Sequence, residues 1–270
     1  MKFSPGWKKL IPAPLRELRR RVQDEIDVVR GRRDRLEPPA RFGFPGYGDY
    51  REIGRQFLEL FRRLGGLQPG HRVLEIGCGT GRMALPLAGY LSGKGQYDGI
   101  DVSSASIRWC RTALSRKYRN FRFQHADVFN REYNPTGRIA ADAFTLPFPD
   151  RHFDFVFLTS VFTHMLPPGI QRYLADISRV LSPGGAVLAT FFLVPEANGP
   201  APAMAFDHVA DGFRTVNRDV PEQAVAVSAA DVRGWYARAN LEILEPLHRG
   251  AWSGIENALT FQDLIIAKKG

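Results

Sequence analysis

Hydrophobic and polar residues along the middle of this chain follow two spacings in turn. Short apolar runs bounded by glycine, proline or charged residues predict buried β-strands, and apolar residues three or four apart predict amphipathic helices. Strands that alternate with helices form a mostly parallel sheet with helices on both faces. We therefore predict an α/β fold for residues 51–270. The predicted strands are Val73–Ile76, Gln96–Ile100, Phe121–Ala126, Phe153–Leu158 and Ala186–Leu193, and the helices between them are Arg82–Leu91, Ser103–Tyr118 and Gly169–Leu181.

The carboxyl-terminal part of the chain keeps this pattern only in part. Residues Val194–Ser228 are rich in Pro and Ala and show no regular period, so we treat 194–228 as a candidate lid insertion. A helix is predicted at Ala229–Asn240, and a short connection joins two apolar runs at Leu241–Leu247 and Thr260–Lys268. A short connection favours antiparallel pairing. We therefore expect a C-terminal hairpin that adds an antiparallel strand at the sheet edge.

The first 50 residues form a separate, basic segment. Apolar residues recur at helical spacing over Leu15–Val29, and residues 1–41 contain twelve Lys and Arg against six Asp and Glu. A helix with one apolar stripe is marginal alone in water and needs a partner surface. We expect it to dock on the protein's own α/β domain. The Gly- and aromatic-rich loop Phe42–Tyr50 would then cover the carboxyl ends of the strands, where ligands of open α/β sheets bind, with Tyr47 and Asp49 near the bound ligand.

Composition limits the class of protein. The chain has 270 residues, a net charge of +9 and 44% hydrophobic residues, which fits one large globular domain with an extension. No apolar run approaches the roughly 20 residues of a membrane-spanning helix. Two cysteines, Cys78 and Cys110, are too few for a disulfide framework. We expect a cytoplasmic protein without a transmembrane segment, and leave peripheral membrane contact and a homodimer open.

The segment Val73–Gly81, with the sequence VLEIGCGTG, carries the strongest chemical signal. Its strand runs into Gly77, Gly79 and Gly81 before the next helix. Glycines are needed where the backbone turns sharply and a ligand approaches closely. Dinucleotide enzymes use the spacing G-x-G-x-x-G, but Arg82 stands where that last glycine would be. The loop therefore does not match the dinucleotide pattern, and a glycine-rich loop alone is weak evidence for any one ligand.

Two carboxylates follow at later strand ends. Asp101 ends the second strand, 20 residues after the glycine loop, where a carboxylate can accept hydrogen bonds from a ribose diol. Asp127 follows the third strand and can accept the amino group of an adenine, with Val128 as an apolar wall. Because ligands bind at the carboxyl ends of strands in open α/β sheets, these residues predict one nucleoside site.

Together these motifs resemble the class I S-adenosylmethionine (SAM)-dependent methyltransferases, which have a Rossmann-like fold. The resemblance covers roughly Ile53–Leu193 and also includes FDFV at Phe153–Val156 and LSPGG at Leu181–Gly185. It implies that SAM is the cofactor. Asp142 is an alternative to Asp127 at the adenine, because the segment around it also resembles the family's adenine site. The cofactor-binding residues expected from the resemblance are Glu75, Gly77, Cys78, Gly79, Thr80, Gly81, Asp101, Val102, Asp127, Val128 and Thr159.

The best candidate for a catalytic base is His164, in the sequence TSVFTHM that leaves the fourth strand at its carboxyl end. A hydroxyl acceptor must lose a proton, and an imidazole titrates near neutral pH. The alternative is that His164 has a purely structural role. His208 in the candidate lid is a second possible base, and Ser160 is expected to contact cofactor or acceptor.

The acceptor is expected to be a hydroxyl of a small molecule, such as a sugar, glycolipid or secondary metabolite. Many nucleic-acid amino-methyltransferases have Asn/Asp-Pro-Pro-aromatic after the fourth strand to stack a flipped base, whereas this chain has Leu158–Val161 there. We therefore expect no nucleic-acid partner. An N-methyltransferase acting on nucleic acid or protein and a non-catalytic SAM-binding protein remain alternatives. We predict no metal site; Mg²⁺ stays open because its oxygen ligands can lie far apart in sequence.

Overall fold

The computed structural model describes residues 13–39, 42, 49–195 and 199–270. The chain divides into two compact units, Met1–Tyr50 and Arg51–Gly270. In the first unit, helix α1 (Ala13–Val29) is followed by a turn in which the Arg33 guanidinium donates to the backbone carbonyls of Asp24 and Glu37. This arginine therefore ties the turn back to its own helix.

The second unit contains the predicted alternation of strands and helices. Five strands pair in parallel, and the chain then adds two antiparallel strands beyond the fifth. The fold class is therefore as predicted, a Rossmann-like sheet that is mostly parallel with an antiparallel C-terminal edge. The elements are α2 (Tyr50–Arg63), β1 (Arg72–Ile76), α3 (Ala84–Tyr90), β2 (Gln96–Asp101), α4 (Ser104–Cys110), β3 (Phe121–His125), β4 (Phe153–Leu158), α5 (Pro167–Val180), β5 (Leu181–Leu193), β6 (His208–Ala210), β7 (Phe213–Thr215), β8 (Val225–Val227), α6 (Ala229–Arg238), β9 (Leu241–Ile243) and β10 (Asp263–Lys269).

The strand order places β1 and β4 at the centre of the parallel sheet. The order is β3-β2-β1-β4-β5, with β10 antiparallel beside β5 and β9 antiparallel beside β10. Since β1 to β4 run in parallel, their carboxyl ends meet at one edge of the sheet. That edge carries the glycine loop, Asp101 and the turn after β4, and we call it the carboxyl edge.

Strand β4 shows why the central strands could be read from the sequence. Its side chains alternate between two helical layers, as the period of a strand requires. The Phe61 ring of α2 lies 5.4 Å from Phe155 and 4.3 Å from Phe157. Val156 instead belongs to the buried cluster that contains Leu174 of α5. A strand buried on both faces is a near-continuous apolar run.

The sequence pattern indicated no regular structure for Val194–Ser228, but this segment does contain regular structure. It contains the three short strands β6, β7 and β8, which extend the carboxyl end of β5: Phe192 pairs in parallel with Ala226, and β7 and β6 follow in antiparallel order. We call these three strands the arm. A strand of three residues is too short to show a period of two in the sequence, which is why the pattern missed them.

Several predicted boundaries were also wrong. Strand β9 ends at Ile243 and not at Leu247, and β10 begins at Asp263 and not at Thr260. The helix after β2 is α-helical only to Cys110, and it continues as a single π-helical turn at Arg111–Ser115. Strand β5 begins at Leu181, because Leu181 pairs with Phe153 before a register shift that brings Ala186 opposite Phe155. The Ser-Pro-Gly-Gly sequence therefore lies inside an irregular part of the strand and not in a turn between α5 and β5.

Candidate active site

The glycine loop turns the chain from β1 towards α3 with three residues in the left-handed region. Gly77, Gly79 and Gly81 have φ angles of 78°, 49° and 87°, which cost a side chain energy but cost glycine little. A Cβ on Gly77 would lie 2.4 Å from Val161 Cγ2 and one on Gly81 would lie 2.5 Å from Leu114 Cδ1, whereas one on Gly79 would meet nothing within 4 Å. The loop is therefore packed below Gly77 and Gly81 and open beside Gly79.

Asp101 is bonded to the glycine loop and to the start of α4. Its Oδ2 accepts the Gly79 N–H at 2.7 Å and its Oδ1 accepts the Ser103 N–H at 2.7 Å. Burial raises the pKa of Asp101, while these two hydrogen bonds oppose the rise. Each carboxylate oxygen keeps a second acceptor position. The residue can therefore hold the loop and still accept hydrogen bonds from a ribose diol, so the arrangement fits the nucleoside of SAM. Val102, the next residue, is half-buried.

Glu75 lies beneath the glycine loop, near the end of β1. It is buried, and the Tyr97 hydroxyl donates a hydrogen bond to its Oε2. Burial raises the pKa of Glu75 from 4.5 to about 8, against the opposing effects of Tyr97 and of the Arg82 charge. The Glu75 carboxyl group is therefore paired with Tyr97 in the protein interior, and its role at the cofactor stays a prediction.

Cys78 and Thr80 lie on the same loop with different surroundings. Cys78 is buried, and a Cβ on Gly99 of β2 would lie 3.0 Å from its sulfur. The Cys78 side chain therefore points into the sheet, so a contact of Cys78 with the cofactor, which stays a prediction, would involve its backbone. Thr80 is half-buried.

Asp127 follows β3 by two residues and is paired with an arginine. Arg138 Nε donates to Asp127 Oδ2 at 2.5 Å, which lowers the pKa of Asp127. Val128 is buried and forms an isolated bridge with Ile139. The sequence did not reveal Arg138 as a partner, because it lies inside the loop between β3 and β4. Asp142 is exposed, so the choice between the two aspartates at the adenine stays a prediction.

The turn after β4 is held by residues that are distant in sequence. Ser160 has a φ of 57°, unusual for a residue with a side chain. Its N–H donates to Thr190 Oγ1 at 2.8 Å, and its hydroxyl donates to Gln262 Oε1 at 3.1 Å. This backbone turn brings Val161 against Gly77, and Thr159 is half-buried beside it. Strained residues of this kind gather at functional sites.

His164 closes a short 3-10 helix, Phe162–His164, and both of its ring nitrogens have partners. Nδ1 lies 3.0 Å from the Glu222 carbonyl oxygen, and Nε2 lies 3.3 Å from the Tyr133 hydroxyl. A carbonyl oxygen only accepts, so Nδ1 carries the hydrogen of the neutral ring and Nε2 is the acceptor. Burial lowers the pKa of His164. The Asn130 amide donates to its backbone carbonyl at 2.8 Å.

Sequence reasoning found His164 but none of these three partners. Asn130 and Tyr133 come from the loop after β3, and Glu222 comes from a second 3-10 turn, Pro221–Gln223. Asn130 Oδ1 also accepts the backbone N–H groups of Glu132 and Tyr133, at 3.0 and 2.9 Å. An Asn that caps its own turn is a local signal, and it could have indicated that the 130–133 turn has a fixed shape.

Two further predicted site residues, His208 and Asp49, lie at the surface. His208 is exposed and lies on β6, the outermost strand of the arm. Asp49 is exposed, and Tyr47 lies outside the described residues. Over 13–39, 42, 49–195 and 199–270, no three His, Cys, Asp or Glu residues are grouped so that they could hold a metal ion. In the same ranges no helix is long and apolar enough to cross a bilayer.

Comparison with known proteins places this site in a family. A methyltransferase domain model matches residues 74–189, from β1 into β5. A fatty-acid O-methyltransferase from Mycolicibacterium smegmatis is 30% identical over 233 residues, which are 80% of this chain and 76% of that protein. A ubiquinone/menaquinone biosynthesis C-methyltransferase from Shewanella is 29% identical over 150 residues, 56% of this chain and 52% of that protein.

A solved structure agrees with the fold. The S-adenosylmethionine-dependent methyltransferase from Mesorhizobium loti superposes with a TM-score of 0.54 at 18% identity, over 79% of this chain and 97% of that one. At this identity the likeness concerns the fold alone. The chain is 30% identical to a methyltransferase over most of its length, and it has the glycine loop and Asp101. The chain therefore belongs to the class I SAM-dependent methyltransferases, and SAM is its cofactor.

Proposed function

We propose that this enzyme transfers the methyl group of SAM to an oxygen of a small molecule, most simply a hydroxyl, with His164 as the general base. The observation that carries the proposal is the hydrogen-bonding of that imidazole. The Glu222 carbonyl fixes the hydrogen on Nδ1, so Nε2 is a neutral acceptor at the carboxyl edge. The name of the relative from Mycolicibacterium smegmatis, an O-methyltransferase of fatty acids, supports oxygen as the methylated atom.

The residues of the glycine loop and the strand ends would hold the cofactor. Gly79 offers the open side of the loop, Asp101 the acceptor positions for the ribose, and Asp127 a carboxylate for the adenine. SAM supplies a methyl group that is already activated on a sulfonium. The protein's remaining tasks are to place the acceptor behind that methyl group, to exclude water and to remove a proton.

His164 suits the last of these tasks. Its contact with the Tyr133 hydroxyl, at 3.3 Å, is long for a hydrogen bond, so an acceptor hydroxyl can compete for Nε2. The lowered pKa keeps the ring neutral, and therefore able to accept a proton, to a more acidic pH than the usual 6.5 of a histidine. The Asn130 amide holds the His164 backbone carbonyl and the Glu222 carbonyl holds the ring at Nδ1, and together they would keep Nε2 directed at the acceptor.

Substitution of His164 by Asn tests the proposal against a structural role. The Asn side chain can still donate to the Glu222 carbonyl in place of Nδ1, but it has no group at the position of Nε2. We expect His164→Asn to lower turnover by about 10²–10⁴-fold, the usual effect of a positioned acid or base, with SAM affinity unchanged. S-adenosylhomocysteine release and calorimetry with SAM measure the two quantities.

Two controls accompany this test. His208→Ala should leave turnover near wild type, and Tyr133→Phe should change it far less than His164→Asn. The kcat/KM of the wild type should fall only below pH 6.5, because the neutral ring is the active form and burial lowers the pKa of His164. Turnover of His164→Asn within a few-fold of wild type would assign His164 to packing. Product analysis would separate O- from C-methylation.

A further inference from the structure

Exposed apolar side chains of the catalytic unit are concentrated in segments at the carboxyl edge. Within the described part of Arg51–Gly270, seven large hydrophobic residues expose between 39% and 74% of their surface. Six of them lie in two loops, one after β3 and one before β10, and the seventh, Val209, lies on β6. We call the six loop residues the apolar rim. They are Phe129, Tyr133, Ile139, Ile255, Leu259 and Phe261.

The first loop reaches the candidate base. The Tyr133 ring meets the His164 ring edge-on, with centroids 5.0 Å apart. Phe129 and Ile139 are held together because the Phe129 N–H donates to the Ile139 carbonyl at 2.8 Å. Arg131 donates to the Asp219 carbonyl at 2.8 Å, so its charged group is directed at the backbone near the arm. Tyr133 therefore brings the apolar side chains of this loop to the base.

The second loop, before β10, contacts the turn after β4 at Ser160. Gln262, which follows Phe261, accepts a hydrogen bond from Ser160 at 3.1 Å. The Phe261 ring lies 6.5 Å from Phe192 at the carboxyl end of β5. Ser160 and His164 belong to one turn after β4, so the two loops of the apolar rim border this turn from both ends.

We infer that the apolar rim binds the hydrocarbon part of an amphipathic acceptor, an alkyl or acyl chain whose terminal oxygen is presented to His164. The inference rests on the proposed function. Exposed apolar surface next to a functional site marks a ligand or partner site, and the occupant here must reach the base at one end. A flexible hydrocarbon chain with one polar end meets both conditions, because it can lie along the rim while its oxygen enters the turn.

The test uses straight-chain alkanoates from four to fourteen carbons, below their micelle-forming concentrations, with the full-length enzyme loaded with S-adenosylhomocysteine. Each methylene that leaves water contributes about 0.8 kcal/mol. The dissociation constant should therefore fall about fourfold for each added carbon until the chain outgrows the rim. Equilibrium dialysis with labelled alkanoate gives this slope. A flat dependence on chain length in the wild type would overturn the inference.

Variants separate the rim from nonspecific binding. Leu259→Ser with Phe261→Ser should weaken binding of the twelve-carbon chain at least tenfold and leave the four-carbon chain nearly unchanged. Phe129→Ser on the other loop repeats the test if the double variant does not fold. Lys94→Ser is the matched exposed control, since Lys94 precedes β2 at the opposite edge of the sheet. An unchanged slope in both folded rim variants would also overturn the inference.

Two further measurements distinguish the hydrocarbon site from the proposed oxygen transfer and from binding to a bilayer. Chain-length-dependent binding without S-adenosylhomocysteine release, measured with SAM and alkanol acceptors whose hydroxyl carries the proton that His164 would remove, would contradict the proposed oxygen transfer and leave the hydrocarbon site standing. Sedimentation with phosphatidylcholine vesicles that the rim variants abolish, together with no binding of monomeric alkanoate, would assign the rim to a bilayer surface and overturn the acceptor site.

Discussion

At the scale of single residues, Asp101 holds the glycine loop, and we propose that it also binds the ribose of the cofactor. Loss of its carboxylate removes the hydrogen bonds from Gly79 and Ser103 and, on this proposal, those from the ribose. We expect Asp101→Ala to weaken SAM binding by about 1.5–3 kcal/mol, the worth of hydrogen bonds to a charged group, and to lower the melting temperature as well. Calorimetry below the melting temperature measures the affinity.

Asp101→Asn is the matched control for this prediction. It keeps the shape of the side chain and one acceptor oxygen, but its amide group opposes one of the two backbone N–H donors. Its SAM affinity should fall between those of the wild type and Asp101→Ala. Wild-type affinity in a folded Asp101→Ala protein would remove Asp101 from the cofactor site.

Glu75 makes the stability of the cofactor-free enzyme depend on pH. Its pKa is about 8 in the folded protein and near 4.5 when unfolded, so the folded state holds a proton that the unfolded state has lost between these values. Stability from this group is therefore complete below pH 4.5 and is lost as the pH rises towards 8. Urea unfolding at several pH values should show the wild type losing stability relative to Glu75→Gln over this window.

Tyr97→Phe provides the control for Glu75. It removes the hydrogen bond that favours the charged carboxylate, so the pKa of Glu75 should rise further and the loss of stability should extend to higher pH. Parallel stability curves for the wild type and Glu75→Gln from pH 5 to 8 would show that Glu75 does not take up a proton on folding.

The residues of the site differ in how far the sequence could identify them. Glycines at fixed spacing and a strand-end aspartate are local signals, and the sequence therefore located Gly77, Gly79 and Asp101. The partners of His164 and Ser160 are not local: Glu222 and Gln262 are 58 and 102 residues away. Such pairs depend on the positions of the arm and of β10, which no short pattern in one sequence contains.

At the scale of elements, the same distinction separates the central sheet from the arm. Strands β1 and β4 are buried on both faces, so each of them is visible in the sequence as a largely apolar run. Strand β6 is exposed at all three residues, and β8, although buried, is only three residues long. Neither has a period that a pattern could detect, and both exist because β5 continues past the main sheet and offers an edge.

Asp263, at the start of β10, joins three elements through one buried carboxylate. Its oxygens accept hydrogen bonds from the Leu193 N–H, the Gly250 N–H and the Trp252 indole, at 2.6, 2.8 and 2.8 Å. Asp263→Ala would leave these buried donors unpaired, each at a cost of about 1–3 kcal/mol. We expect a loss of at least ~3 kcal/mol in the free energy of unfolding, measured with urea.

Asp263→Asn should lose less than Asp263→Ala, because its amide oxygen still accepts while its NH₂ group faces a donor. Asp231→Ala is a surface control near the amino end of α6, where the residue is exposed, and it should lose less than half as much as Asp263→Ala. Equal losses for Asp231→Ala and Asp263→Ala would show that the buried carboxylate is not a joint between the elements.

At the scale of the whole molecule, the role of the first 50 residues stays a proposal. Their loop, with Tyr47 and Asp49, was predicted from the sequence to cover the site. A protein that begins at Arg51 keeps the glycine loop, Asp101 and His164, and we expect it to fold but to bind SAM more weakly. Calorimetry on the full chain, on a chain without residues 1–39 and on the shorter chain measures the difference. Equal SAM affinities would remove the cover from the site.

The continuity of β5 determines how the arm can move. Strand β5 is a single run of thirteen residues that pairs with β4 and β10 and then with β8, so the arm shares a backbone with the most buried part of the sheet. A hinge at this junction would have to break the central ladder. Amide hydrogen exchange should therefore be slow at β8 and fast at β6, in a gradient without a sharp step. Any opening of the arm would then proceed by fraying of its outer hairpin, β6 and β7, at a rate set by local opening and independent of global unfolding.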